Sequence, residues 1–233
     1  GIKTRLNDDT FLIYNNALNL PELKCDQILN EACYHDNGGT TKVILWGDSH
    51  AFMYYDLFYN TFKNNKISWV YSSCYPLFGV YLNNEYSKND IPDCIKKNNN
   101  IKNIISNNNI KRIILIANWT QNILGIEKKI EGVGINDNFI SEIDNYSNNS
   151  NEAKILFAKN FAKTVSYLNN KNIQIYISRP LPTFEYWVAN RAIKKIIYNH
   201  SDKTISRNLE DYDKRNLFVN NMLNKYKQNK KIY

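Results

Sequence analysis

Long hydrophobic runs are missing from this sequence, and with them any segment that reads as a bilayer-spanning helix. Nothing at Gly1 has the layout of a signal peptide and the first residue is not Met, so the chain reads as a processed or excised piece. Histidine is scarce. His35, His50 and His200 are the only three, and they lie outside any ligand-like cluster. With no C-x-x-C spacing of the zinc-ribbon kind either, no metal site is expected. There is no internal repeat, no nucleic-acid-binding motif and no basic stripe interleaved with regularly spaced aromatics. The net charge of +8 therefore reads as a solvated basic surface, its one dense cluster being Lys225–Lys231, and not as a nucleic-acid interface.

What is present suits one globular α/β domain: 233 residues, 43% apolar and 22% charged. The chain is organised around Thr41–Phe58, TKVILWGDSHAFMYYDLF. Val43–Trp46 is a short β-branched apolar run of the kind that forms a buried strand, and Gly47-Asp48-Ser49 breaks it. Helical spacing returns with Phe52, Tyr55 and Tyr59. A strand that turns into a helix at this point puts Ser49 at the carboxyl end of a sheet, where open α/β sheets bind ligands. It also puts Ser49 at a helix N-terminus, where backbone N–H groups stabilise negative charge. Ser49 is thus a candidate nucleophile, although Asp and Ser are also ordinary N-cap residues that need no chemistry.

Further along, the pattern gives a possible short helix near Asp26–Ala32 within an irregular extension to Gly39, and a His35–Gly39 loop. A helix follows over Ala51–Asn64, then a strand over Lys66–Ser72 and a long loop over Ser73–Asp93. Ile95–Asn107 reads as a helix and Ile110–Ala117 as a central strand, with a Gly/Asn-rich excursion over Gln121–Asn151. Glu152–Asn169 is an amphipathic helix with Ile155, Phe157, Ala158, Phe161, Val165 and Leu168 inward. Asn172–Ser178 is a strand, Phe184–His200 a helical insertion and Arg207–Lys227 a last helix; Asn229–Tyr233 resembles the opening of one more strand. Strands alternating with helices predict a parallel sheet covered on both faces, with no second domain. The four cysteines form two close pairs, Cys25/Cys33 and Cys74/Cys94. Four free thiols or two local disulfides are both open, and the short separations fit disulfides better, each contributing about 2–4 kcal/mol. Disulfides point to an oxidising compartment.

The strand followed by WGDSHA resembles the nucleophile block of SGNH (GDSL-like) hydrolases, in the form joined to acyltransferase family 3 membrane domains of bacterial O-acyltransferases. The resemblance runs from the N-terminal cysteine pair to Tyr233, and the two cysteine pairs are familiar features of that group. It implies a single three-layer α/β/α domain over residues 1–233 with a central parallel sheet of flavodoxin-like type, residues 1–39 being a disulfide-clamped extension. It implies Ser49 as nucleophile, Asp48 as the residue positioning its turn, and Gly79 and Asn118 as the positions carried over for the oxyanion hole. Trp119, beside Asn118, is the firmer family marker. The family's base is the His of a D-x-x-H pair, which this chain lacks; His200, near Asp202, is only a weak substitute. The expectation is that the dyad, with the fifth strand, lies past Tyr233.

The function implied is transfer of an acyl group, with acetyl the expected one, through a Ser49 ester to a hydroxyl of a cell-envelope glycan such as lipopolysaccharide O-antigen. No metal or organic cofactor is expected in the domain. The acyl group, ultimately from acetyl-CoA, would come through a membrane acyltransferase domain of the same polypeptide, with the domain in the periplasm or otherwise extracytoplasmic and tethered to the inner membrane. A carbohydrate O-acetyl esterase using the same serine, and a non-catalytic glycan-binding or docking module, are the alternatives.

Overall fold

The computed structural model describes residues 8, 10–12, 15, 23–82, 92–125, 139–182, 188–198, 208–227 and 232–233. Its central sheet has six strands, β1 (Gln27–Leu29), β2 (Ala32–His35), β3 (Lys42–Gly47), β4 (Ser68–Ser73), β6 (Ile110–Ile116) and β8 (Gln174–Ile177), in the order β1-β2-β4-β3-β6-β8. A two-stranded ribbon joins β5 (Tyr81–Leu82) to β7 (Ile140–Ser141). The helices are α1 (Ser49–Phe52), α2 (Tyr55–Asn64), α3 (Asp93–Asn107), α4 (Gln121–Leu124), α5 (Ser150–Asn170), α6 (Val188–Ile197) and α7 (Leu209–Tyr226).

β4, β3, β6 and β8 run parallel. Ile232 bridges to Ile175 of β8 in parallel, with Tyr233 N donating to Ile175 O at 2.9 Å and Ile177 N donating to Tyr233 O at 3.0 Å. The parallel strands therefore follow the flavodoxin-like 2-1-3-4-5 order, Ile232 sitting in the fifth place.

The side chains of β3 divide the core in two. Ile44 and Trp46 join Ile101 and Ile104 of α3, Phe157 and Phe161 of α5, and Val219 of α7. Val43 and Leu45 join Ala51, Tyr55 and Phe62 of α1 and α2, with Trp69. A strand apolar on both faces is what a sheet covered by helices on both sides requires. The result is a three-layer α/β/α sandwich.

Several sequence expectations are corrected. The helix placed near Asp26–Ala32 is instead the β1–β2 hairpin, turning at Asn30 and Glu31 with both φ positive (48° and 64°). Two such residues match the twist of paired strands, and the Cys25–Cys33 disulfide closes across the hairpin. β2 then pairs antiparallel with β4, so the sheet is mixed and the N-terminal segment is part of it. His35 ends β2 and is fully buried, stacked on Trp69 at 4.5 Å with its Nε2 2.6 Å from the Tyr55 hydroxyl. Burial pushes its imidazole below the ordinary value, against the pull of Asp26. The Ala51–Asn64 helix is two helices, broken at Met53-Tyr54. Ile155 faces outward at 68% exposed; Leu156 takes the core place beside Phe157. His200 lies outside the described residues, as does the middle of the 121–151 excursion.

Candidate active site

β3 sends its chain to α1 and α2 on one face of the sheet, and β6 leads to α5 on the other. Their carboxyl ends consequently part and leave a crevice between them, the usual ligand position in such sheets. Gly47 does not break β3 but closes it, in register with Ile116 and Ser73. Only glycine fits there, since a Cβ would meet Ile116 O at 1.8 Å and Ala51 Cβ at 2.6 Å.

That close approach lets Asp48 span the crevice. Its Oδ1 accepts from His50 N at 2.8 Å, capping α1, and its Oδ2 accepts from Asn118 N at 2.8 Å, across from the end of β6. One carboxylate thus locks two loops with charge-assisted bonds. The His50 imidazole turns to the same carboxylate, Nδ1 lying 3.2 Å from Oδ1.

Ser49 follows at the first position of α1 and is exposed. Its N–H, as at any helix start, has no intrahelical acceptor. Among the described residues no hydrogen bond reaches its hydroxyl. It lines a cavity of about 470 Å³ whose wall combines Phe52, Tyr71, Tyr75 and Leu82 with Cys74 and Cys94. Burial first, and then the Asp48 charge, raise the Tyr71 and Tyr75 phenols, so both are neutral hydrogen-bonding walls at physiological pH.

Neither expected oxyanion residue lines the cavity at Ser49. Asn118 lends its backbone N–H to Asp48 and its side-chain amide to Gln121 Oε1 at 2.8 Å, and it does not line the Ser49 cavity. Gly79 lines a different cavity, beside α3 and α5. The loop after β4 nevertheless reaches the serine earlier, at Ser73–Tyr75. Trp119 is fully buried, its Nε1 donating to Ser178 O at 3.0 Å and its ring meeting Tyr75 and Phe161, which ties the end of β6 to that of β8.

One residue that the sequence reading passed over holds this corner together. Asn98, fully buried on α3, accepts from Trp46 Nε1 at 2.9 Å and donates to Tyr75 O at 3.0 Å and Leu77 O at 2.9 Å. The signal was its place in the apolar stripe Ile95, Asn98, Ile101, Ile105. The Cys74–Cys94 disulfide staples the same turn to the start of α3. Replacing both cysteines by alanine is expected to lower stability by about 3 kcal/mol, the loop-entropy value for this separation, read from a urea midpoint under non-reducing conditions.

Among the described residues no group of three or more His, Cys, Asp or Glu is arranged to hold a metal ion, and no helix is long and apolar enough to cross a membrane. A family model described as "SGNH domain (fused to AT3 domains)" matches residues 19–233. The chain belongs to this SGNH family. No curated protein and no solved structure matches it. The SGNH assignment agrees with the sandwich and its strand order, and it makes the domain a module of the acyltransferase-associated kind. The two disulfides fit an extracytoplasmic SGNH domain.

Proposed function

We propose that this SGNH domain carries out the glycan-side half of an O-acyl transfer. The observation behind the reading is Ser49 itself, exposed at a cavity beside the β3–β6 crevice, its hydroxyl uncommitted and its turn locked by Asp48. The Ser49 oxygen attacks the acyl carbonyl, and its proton passes to a base that hands it to the donor's departing group as the serine ester forms. A glycan hydroxyl then attacks the ester, and the base takes its proton and returns it to the Ser49 oxygen, which leaves as the free hydroxyl. The Ser49 N–H and the backbone of the Ser73–Tyr75 turn supply the oxyanion donors, in place of Gly79 and Asn118. Asp48 is a positioning residue.

The acyl group is acetyl, delivered from acetyl-CoA through a membrane acyltransferase domain of the same polypeptide, and the acceptor is an envelope glycan such as lipopolysaccharide O-antigen on the periplasmic side. The base is taken from the family, as the His of its D-x-x-H pair, a pair that this sequence does not contain; no hydrogen bond from a described side chain reaches the Ser49 hydroxyl. That same observation favours a second reading, a glycan-binding module in which Ser49 only starts a helix.

The test is p-nitrophenyl acetate turnover by the domain within its natural polypeptide, beside Ser49→Ala. Turnover that falls to background in the variant supports an acyl-serine; equal rates in both overturn it and leave the binding module. With an acyl-serine established, release of acetate against transfer to added oligosaccharide separates an esterase from a transferase.

A further inference from the structure

Side chains of β4 alternate between the two faces of the sheet, so Trp69, Tyr71 and Ser73 share the face that α1 and α2 cover. Tyr71 is held by strands on both sides, opposite Cys33 of β2 and Leu45 of β3. Ser73 is in register with Gly47, two residues before Ser49. Ser49 and Phe52, three apart in α1, lie on one side of that helix, and the Phe52 ring is 6.0 Å from the Tyr71 ring. Tyr71 therefore stands beneath the Ser49 turn, and it lines the same cavity. Resting on the acyl-transfer reading, we infer that Tyr71 is a catalytic residue, its hydroxyl donating a hydrogen bond to the acyl carbonyl oxygen as that oxygen takes up negative charge.

The uncommitted hydroxyl carries the argument. Tyr71 is only 3% exposed, yet its hydroxyl makes no hydrogen bond among the described residues. It is not one of the sealed-in polar atoms either, so the oxygen opens onto the cavity. A buried tyrosine ordinarily gives its O–H a partner. Both neighbouring tyrosines do so: Tyr55 donates to Lys24 O at 2.7 Å and Tyr75 to Trp119 O at 3.4 Å. Phenylalanine would fill the Tyr71 site with no polar atom to satisfy. The ring is also fixed, edge-on to Tyr55 at 5.5 Å, so the hydroxyl is aimed before any substrate arrives.

The surroundings select what it binds. Phe52, Leu82 and the Cys74–Cys94 disulfide make much of the wall apolar, and a hydrogen bond to a charged oxygen is worth more in such a place than in water. The one carboxylate of the wall, Asp48, has both oxygens engaged, by His50 N and Asn118 N. Burial and the Asp48 charge keep the phenol protonated, so it is a donor. As Ser49 Oγ bonds to the acyl carbon, the carbonyl π pair moves onto its oxygen. When the intermediate collapses the pair returns and the bond to the leaving group breaks, the phenol keeping its proton throughout. Tyr71 thus provides the side-chain donor that Asn118, turned to Gln121, does not.

The test is Tyr71→Phe in the natural polypeptide, assayed with p-nitrophenyl acetate and with its thiono analogue, in which sulfur replaces the carbonyl oxygen. A fall in kcat/KM of about 100-fold is expected for the oxygen ester, carried by kcat with KM within about threefold. Sulfur is a poor acceptor, so the thionoester should lose less than about tenfold. That ratio does not depend on how much of the variant is folded. Unchanged kcat, a loss confined to KM, or equal losses on the two esters would each overturn the role. Ser49-dependent turnover that Tyr71→Phe leaves intact removes Tyr71 alone. Equal rates in the parent and Ser49→Ala remove the acyl-transfer reading and the role of Tyr71 with it.

Discussion

Asn98→Leu is expected to lower the melting temperature by about 10–15 °C. Leucine keeps asparagine's branched skeleton and is somewhat bulkier, so no cavity opens; the main loss is in polar partners. Trp46 Nε1 would lose its acceptor and the Leu77 carbonyl its donor, while the Tyr75 carbonyl would keep the Leu77 N–H at 2.8 Å, all in a region with Trp46, Tyr75 and Leu77 at most 1% exposed. Each of these two orphaned groups costs about 1–3 kcal/mol, or roughly 2–6 kcal/mol together. Set against a total stability of about 5–15 kcal/mol, that is a large fraction. Asn98→Asp retains the acceptor for Trp46 but no donor for the carbonyls, and it should destabilise by at least as much, since it buries a charge. A differential scan of Asn98→Leu within about 3 °C of the parent would show that the three bonds carry no net stability. The effect reaches the site as well, because Trp46 precedes Gly47-Asp48-Ser49 and Tyr75 lines the serine cavity.

Asp48→Ala is expected to cut Ser49-dependent turnover of p-nitrophenyl acetate by about 100-fold, the cost of a nucleophile misplaced by an ångström or so. The stability loss should be smaller, about 1–2 kcal/mol for a lost N-cap. The two carboxylate oxygens divide the work, and Asp48→Asn separates them. Its carbonyl oxygen still caps His50 N, but the amide then presents a donor to the N–H of Asn118 where a carboxylate oxygen stood. Most of the stability should return in Asp48→Asn and little of the activity. If both variants kept full kcat/KM, the bridge between the β3 and β6 loops would have no part in placing Ser49. If Asp48→Asn regained activity fully, the N-cap alone would account for the effect.

The central strand, the nucleophile turn and the α/β alternation were legible in the chain because each is a local pattern. A short continuous apolar run, a Gly-Asp-Ser stop and an amphipathic stripe are dictated by backbone geometry within a few residues. The cysteine spacings were local for the same reason. The N-terminal hairpin was missed because Asn30 and Glu31 adopt a turn that neither residue announces, and only pairing with β4 shows why a strand is needed there.

Gly79 and Asn118 lie at strand ends, as sequence order required, but which cavity a strand-end residue faces depends on how the loops fold over one another. Asn118 is taken by Asp48 and Gln121, and Gly79 opens towards Asn160, a residue 81 positions away. Asn98 and Asn160 look from the sequence like polar interruptions of apolar stripes. Only the tertiary structure shows that one holds three buried partners and that the other ties α5 to the Glu142 turn. The sequence by itself determined that a serine follows the central strand of a three-layer sandwich, since hydrophobic periodicity selects elements and their order. What surrounds that serine was decided by hydrogen bonds between residues distant in the chain, whose partners no local pattern can name.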